Sequence, residues 1–172
     1  NSKELYISIE PAEEKEYYPL SPAQKRLYIY HQLVTANTSY NMPYLIPLAG
    51  DIGKERLEVV FKTLIARHES LRTSFETVNQ EPVQKIHQEV DFTIRHANLL
   101  EEDSEQITAD LTIPFDLSRA PLMRAHILTF ASKPGRQILF IDMHHIITDG
   151  TSQGILEKEF ALLCSGAQLG PL

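Results

Sequence analysis

The spacing of apolar and polar residues predicts both helices and strands in this chain. Between residues 54 and 67, apolar side chains recur every three or four positions, as they do on the buried face of an amphipathic helix. That face consists of Leu57, Val60, Phe61, Leu64 and Ile65. A continuous apolar run at residues 138–141 predicts a short buried strand, and residues 152–164 predict a helix after it.

Residues 21–24, with the sequence Ser-Pro-Ala-Gln, have the composition of a helix start. Serine is a common N-cap, proline fits the first helical position, and Gln24 stands where a capping box needs its second partner. We expect this helix to end near Leu33, with Leu27, Tyr30 and Leu33 facing the interior. A capped helix accounts for Ser21, Pro22 and Gln24 without any direct role in chemistry.

The rest of the chain predicts short strands joined by turns. A strand at residues 42–48 contains Pro43 and Pro47, which favour a sheet edge. Residues 71–78 and 83–87 predict a hairpin with a turn at 79–82, and residues 122–130 and 137–146 predict another with a turn at 133–136. A further strand is expected at 92–97, and a short helix is expected from Asp103 to about Leu111. This mixture predicts an α+β fold.

Length and composition exclude several classes of protein. The chain has 172 residues, of which 42% are hydrophobic and 23% charged, which is typical of one globular domain. Its formal net charge of -7 argues against a nucleic-acid partner, and no apolar run is long enough to cross a bilayer. The single cysteine, Cys164, cannot form an internal disulfide, which fits a cytoplasmic location.

The two ends of the chain predict its domain organisation. Residues 1–18 include the charged run 13–16 and are expected to be a linker or an approach segment, with the folded unit at residues 19–172. The first residue is Asn1 rather than methionine, so we expect the sequence to be a piece of a longer protein.

The strongest candidate for chemistry lies between the buried strand and the helix that follows it. Residues 144–150 have the sequence His-His-Ile-Ile-Thr-Asp-Gly. Successive strand side chains point to opposite faces, so His144 and His145 cannot both face one cavity. One histidine for chemistry and one for structure is the expected division, although a histidine on an apolar strand is more often a hydrogen-bonded core residue than a catalyst. A metal site is disfavoured by the divergent side chains and by the lack of a third ligand nearby.

Asp149 has several possible roles across a turn that Gly150 would permit. Its carboxylate can support an imidazole, cap the next helix or pair with an arginine. If Asp149 is buried it needs a partner, and Arg67 and Arg72 are the candidates, although a helix-terminal cation and a strand surface charge explain them equally well. The other histidines show no shared metal spacing.

Several segments together resemble the condensation domains of nonribosomal peptide synthetases. Residues 144–150 match that family's His-His-x-x-x-Asp-Gly signature. Residues 21–28 (Ser-Pro-Ala-Gln-Lys-Arg-Leu-Tyr) and 67–75 (Arg-His-Glu-Ser-Leu-Arg-Thr-Ser-Phe) resemble two earlier motifs, and residues 114–124 also have the family's pattern. The matches occur in the family's order and span most of the chain.

The resemblance implies the N-terminal lobe of a chloramphenicol acetyltransferase-like fold, with a mixed sheet and flanking helices, and with the C-terminal lobe absent. It implies amide-bond formation between a donor acyl thioester and an acceptor aminoacyl thioester. Both would be carried on phosphopantetheine arms of upstream and downstream carrier proteins, with no cofactor bound directly.

Among the motif residues, the resemblance assigns catalysis to His145 and structural support to His144 and Asp149, with Asp149 ordered by an arginine. It also suggests that the Gly150 N–H points at the reacting centre. Whether His145 takes a proton or stabilises the tetrahedral intermediate stays open.

Two other functions fit the same resemblance. An epimerisation domain of the same superfamily shares the motif, whereas the two intact histidines disfavour a heterocyclisation domain. A non-catalytic module that binds carrier proteins is a different class, and the isolated 172-residue chain is expected to be inactive by itself.

Overall fold

The computed structural model describes residues 12–34, 37–48 and 52–171. The helices in this part are α1 (Pro22–Leu33), α2 (Lys54–Arg67), α3 (Ser104–Leu111) and α4 (Gly150–Cys164), with a 3₁₀ turn at Glu69–Arg72. The strands are β1 (Tyr18–Pro19), β2 (Asn41–Pro47), β3 (Thr73–Val78), β4 (Glu81–Ile86), β5 (Arg95–Leu99), β6 (Met123–Phe130) and β7 (Lys133–His144).

The strands form two separate sheets. The larger has the order β2-β7-β6-β5, in which β5 and β6 are parallel and the other pairs are antiparallel. The smaller is antiparallel, with the order β1-β4-β3. The predicted α+β fold with a mixed sheet and flanking helices is therefore confirmed.

Strand β7 is central because both of its faces are covered. Leu139, Ile141 and Met143 belong to the main apolar cluster, which includes the buried face of α2. Ile138 and Phe140 point to the other face, where a second cluster includes Ile107 of α3. A strand buried on both faces needs a continuous apolar run, which explains the composition of residues 138–141.

Helix α2 has the predicted bounds and the predicted buried face. All five residues of that face are at most 6% exposed. Phe61 of this helix contacts Phe160 of α4, with ring centroids 5.5 Å apart. Helix α2 therefore supports α4, the helix that follows the histidine motif.

Helix α1 begins as predicted but faces the core differently. The Ser21 side chain accepts from the Gln24 N–H, and the Gln24 side chain accepts from the Ser21 N–H, so the capping box is confirmed. Tyr28 is the buried residue, and its hydroxyl hydrogen-bonds Thr77 at 3.0 Å. The expectation that Tyr30 and Leu33 face inward was wrong, because they are 37% and 78% exposed.

Several strand ends differ from the predictions. The first hairpin turns at Asn79 and Gln80, which have φ values of 51° and 67°, so Glu81 already belongs to β4. Strand β5 begins at Arg95 rather than residue 92, although Phe92 and Ile94 are buried. The predicted turn at 133–136 is part of β7, which ends at His144 rather than residue 146.

The N-terminal segment is partly attached to the fold. Tyr18 pairs with Gln84 in the smaller sheet, and Lys85 contacts Glu16 at 3.2 Å. Residues 1–11 of the predicted linker lie outside the described residues. No helix in the described ranges is long and apolar enough to cross a membrane.

Candidate active site

The histidine motif is a five-residue loop, residues 145–149, between β7 and α4. The His145 N–H donates to the Tyr40 carbonyl oxygen at 2.8 Å, just before β2 begins. The Ile147 N–H donates to the His144 carbonyl oxygen at 3.1 Å. The first half of the loop is thus held against the end of β7 and the residue before β2.

His145 is exposed and has a defined ring orientation. Its Nδ1 lies 2.7 Å from the Thr148 carbonyl oxygen. A carbonyl oxygen can only accept a hydrogen bond, so Nδ1 carries the proton and Nε2 of the neutral ring keeps its lone pair. An accessible imidazole with a free lone pair can accept a proton or a hydrogen bond from a substrate.

His144 has the opposite environment, being only 2% exposed. Its Nδ1 accepts from the Ile146 N–H at 3.1 Å, so this nitrogen is the unprotonated one. Burial, with smaller contributions from the nearby His31 and His145, lowers the pKa of His144 to about 4. Its ring contacts His31 and Phe115 edge-on, at centroid distances of 5.6 and 6.2 Å. His144 is therefore a neutral packing residue.

Asp149 is exposed and caps helix α4. Its Oδ1 accepts from the Ser152 N–H at 2.8 Å. That hydrogen bond is the main reason why the pKa of Asp149 is lower than usual. Of the roles considered from sequence, helix capping is the one that the structure contains.

The expectation that Asp149 pairs with Arg67 or Arg72 was wrong, because both arginines have other partners. The Arg67 Nε lies 3.0 Å from Glu159 of α4, and its Nη1 donates to the Gly170 carbonyl at 2.7 Å. Arg72 donates from Nη1 to the His87 carbonyl at 2.6 Å. Asp149 is exposed and needs no buried partner. Arg67 supports the motif only indirectly, through α4.

Gly150 does not make the turn by an unusual dihedral angle, as the sequence suggested. In the described ranges, positive φ values at glycine occur only at Gly135 and Gly166. A Cβ added at Gly150 would meet nothing within 4 Å. The backbone conformation at residue 150 is therefore one that residues other than glycine can also adopt.

A groove of about 330 Å³ exposes the motif to solvent. Gln24 and Leu27 of α1 line one side, and the motif loop and the start of α4 line the other. The Gln24 side-chain nitrogen donates to the Ile146 carbonyl oxygen at 3.4 Å. Residues 21–27 therefore form part of the site as well as a helix cap. Sequence spacing alone cannot place them opposite a loop more than 100 positions later.

Two further features near the motif were missed from sequence. Asp142 is fully buried two residues before His144, where it contacts Asn41 and Arg124. An apolar pocket of about 500 Å³ lies between the larger sheet and helices α2 and α4, with Tyr44 and Glu157 in its lining. Among the described residues, no group of three histidine, cysteine or acidic side chains is placed to hold a metal ion.

Comparison with known families gives a single match over nearly the whole chain. A family model described as "Condensation domain" matches residues 14–171. Tyrocidine synthase 3 of Brevibacillus parabrevis is 44% identical over 172 residues, which is 100% of this chain and 3% of that protein. Gramicidin S synthase 2 of Aneurinibacillus migulanus is 47% identical over 169 residues, which is 98% of this chain and 4% of that protein.

Solved structures share the fold. The starter condensation domain of rhizomide synthetase RzmA superposes with a TM-score of 0.75 at 22% identity, covering 92% of this chain and 42% of that one. The first condensation domain of the calcium-dependent antibiotic synthetase, in complex with a substrate analogue, gives 0.74 at 20% identity, covering 91% and 40%. The chain thus spans about two fifths of these two solved chains and a few per cent of the two synthases above.

Proposed function

Because this chain belongs to the condensation domain family, we propose that it supplies the histidine-bearing part of an enzyme that forms amide bonds in nonribosomal peptide synthesis. The donor is an acyl thioester and the acceptor is an aminoacyl thioester. Each is carried on the phosphopantetheine arm of a carrier protein, upstream and downstream of the domain. The arms are substrates rather than a resident cofactor, and the proposed compartment is the cytoplasm.

The observation that carries this proposal is the state of His145. The ring is exposed in the groove, and its Nδ1–H donates to the Thr148 carbonyl at 2.7 Å. Nε2 is then the acceptor that an incoming amine would meet. His144 is buried and neutral, so its ring is not available to a substrate.

The reaction needs positioning more than it needs a strong base. An α-amine has a pKa of about 7.7–8, so a useful fraction is neutral near pH 7. Its nitrogen attacks the thioester carbonyl carbon, and the C–S bond breaks as the tetrahedral intermediate collapses. The nitrogen loses one proton and the departing thiolate gains one. His145 Nε2 can accept a hydrogen bond from the amine and take that proton as it becomes acidic.

We further propose that residues 19–172 act as one lobe and need a second lobe to enclose the reaction. The groove is open along its length in this chain, so water would compete with the amine for the thioester. The coverage of about two fifths of solved condensation-domain chains supports a site shared with further sequence. Neither Asp149 nor Gly150 is proposed to touch the reacting atoms; Asp149 orders the start of α4.

The test is peptide formation from two loaded carrier proteins. Three preparations are compared: this chain alone, a complete condensation domain that contains it, and the chain mixed with the separately expressed remainder. We expect product from the complete domain and from the mixture, and none from the chain alone. Saturable carrier binding without product in any preparation would overturn the proposal and favour a binding module. Inversion of the donor's α-carbon without transfer would favour an epimerisation domain.

A further inference from the structure

A polar cluster lies in the larger sheet close to the histidine motif, with one fully buried member and two partly buried ones. We define this cluster as Asn41 of β2, Arg124 of β6 and Asp142 of β7. Asp142 is completely buried and lies opposite Arg124 in the β6–β7 register. Its Oδ2 accepts from the Asn41 side-chain nitrogen at 2.7 Å and lies 3.7 Å from the Arg124 Nε.

The same cluster joins the sheet to residues 113–115, which include the ring that packs on His144. The Asn41 side-chain nitrogen also donates to the Ile113 carbonyl oxygen at 2.9 Å. The Arg124 guanidinium stacks over the Phe115 ring at 3.7 Å, and Phe115 contacts His144 edge-on. Arg124 additionally donates to the Pro114 carbonyl at 3.3 Å.

Asn41 also connects the cluster to His145 through the backbone. Asn41 is the first residue of β2 and the Cα partner of His144. The preceding residue is Tyr40, whose carbonyl oxygen accepts from the His145 N–H at 2.8 Å. That hydrogen bond and the Nδ1 contact with Thr148 are two hydrogen bonds that hold His145 in place. The Asn41 side chain therefore anchors the residue next to Tyr40, on whose carbonyl one of these bonds depends.

The cluster is a costly way to fill the interior of a sheet. Within the described part of the chain, Asp142 Oδ1, Asn41 Oδ1 and an Arg124 Nη1 are buried without a hydrogen-bond partner. Apolar residues of the same volume at such positions are often equally stable or more stable. The presence of these unpaired polar groups is therefore better explained by the geometry that the cluster imposes than by a gain in stability.

From these contacts we propose that Asn41 is a positioning residue for His145. Through its hydrogen bond to Asp142 it fixes the first residue of β2, and thereby the Tyr40 carbonyl and the backbone of His145. The imidazole is held towards the groove as a result. The expected effect on catalysis rests on the proposed function. The effect of Asn41 on the backbone of His145 can be tested on this chain alone.

Amide hydrogen exchange of the His145 N–H tests the proposal directly. In Asn41→Ala, we expect this amide to exchange roughly tenfold faster while the amides of α2 keep their protection. Asn98→Ala is the matched control, because Asn98 is exposed on β5 at the far edge of the sheet. Ile138→Val is a second control, which lowers global stability through the other apolar cluster.

The outcomes separate a positioning role from a merely structural one. Faster exchange of His145 in Asn41→Ala, beyond that of Ile138→Val at equal global stability, supports the proposal. Equal acceleration of all amides, or no change at His145, overturns it. In a complete condensation domain, Asn41→Ala is expected to lower kcat with KM for the loaded carriers unchanged. A domain that makes no peptide even in its native form would refute the proposed function while leaving the exchange result valid.

Discussion

At the scale of single residues, the two adjacent histidines differ in every property that matters for chemistry. His144 Nδ1 accepts a backbone hydrogen bond, whereas His145 Nδ1 donates one. The two neutral rings are therefore opposite tautomers. Burial makes His144 a packing residue, and exposure makes His145 the one that a substrate can reach.

The tautomers can be measured by nitrogen-15 NMR of the imidazole rings. We expect His145 to carry its proton on Nδ1 and His144 to carry its proton on Nε2 at pH 8. We also expect His144 to stay mainly neutral until the pH approaches 4, because burial is the main cause that lowers its pKa to about 4. An ordinary titration near pH 6.5 at His144, or the same tautomer at both positions, would contradict the assignment.

Asp142 gives a prediction on the pH dependence of stability. Burial raises its pKa to about 6 from 3.8, so between these values the folded state binds more protons than the unfolded state. Protonation therefore favours folding, and the contribution of Asp142 to stability falls as pH rises through this window. His144 acts in the opposite direction, because its folded pKa is lowered from 6.5 to about 4.

The variant Asp142→Asn removes the first of these two effects. The unfolding free energy of the variant minus that of the native chain should decrease as pH is lowered from 6.5 to 4. Urea unfolding at several pH values measures this difference. A constant difference across that range would show that Asp142 does not titrate as the structure implies.

At the scale of helices and strands, the sequence predicted correctly those elements whose apolar residues can form only one buried face. Helix α2 was predicted with its bounds and its face, because five apolar positions define one stripe. Helix α1 offers apolar side chains on several sides, and contact of Tyr28 with Thr77 decided which side is buried. That contact cannot be predicted from the local sequence pattern, since the two residues are 49 positions apart.

The Asp149 cap yields a prediction for helix α4. Asp149→Ala should lower the unfolding free energy, because the Ser152 N–H loses its acceptor. Asp103→Ala is a matched control, since Asp103 caps α3 in the same way and lies away from the groove. We expect similar losses of stability in both variants and a loss of peptide formation only for Asp149→Ala. Unchanged stability with lost activity would instead give Asp149 a direct chemical role.

At the scale of the whole molecule, the site is assembled from segments far apart in sequence. The start of α1 and the loop after β7 meet at one groove, and Tyr40 before β2 accepts a hydrogen bond from the loop. The motif residues could be chosen from sequence: strand geometry predicted that the two histidines differ, and the family resemblance assigned the chemistry to His145. The positions of Gln24 and Asn41 opposite the motif could not, because sheet order and helix packing bring them there.

Amide-bond formation is the reaction that we propose for His145. The most direct measurement is single-turnover peptide formation in a complete condensation domain, comparing His145→Ala with His96→Ala, which alters an exposed histidine on β5. We predict that His145→Ala lowers the rate by roughly 10²–10⁴-fold at an unchanged melting temperature, while His96→Ala behaves like the native domain. A His145→Ala rate within a few-fold of the native rate would contradict the account.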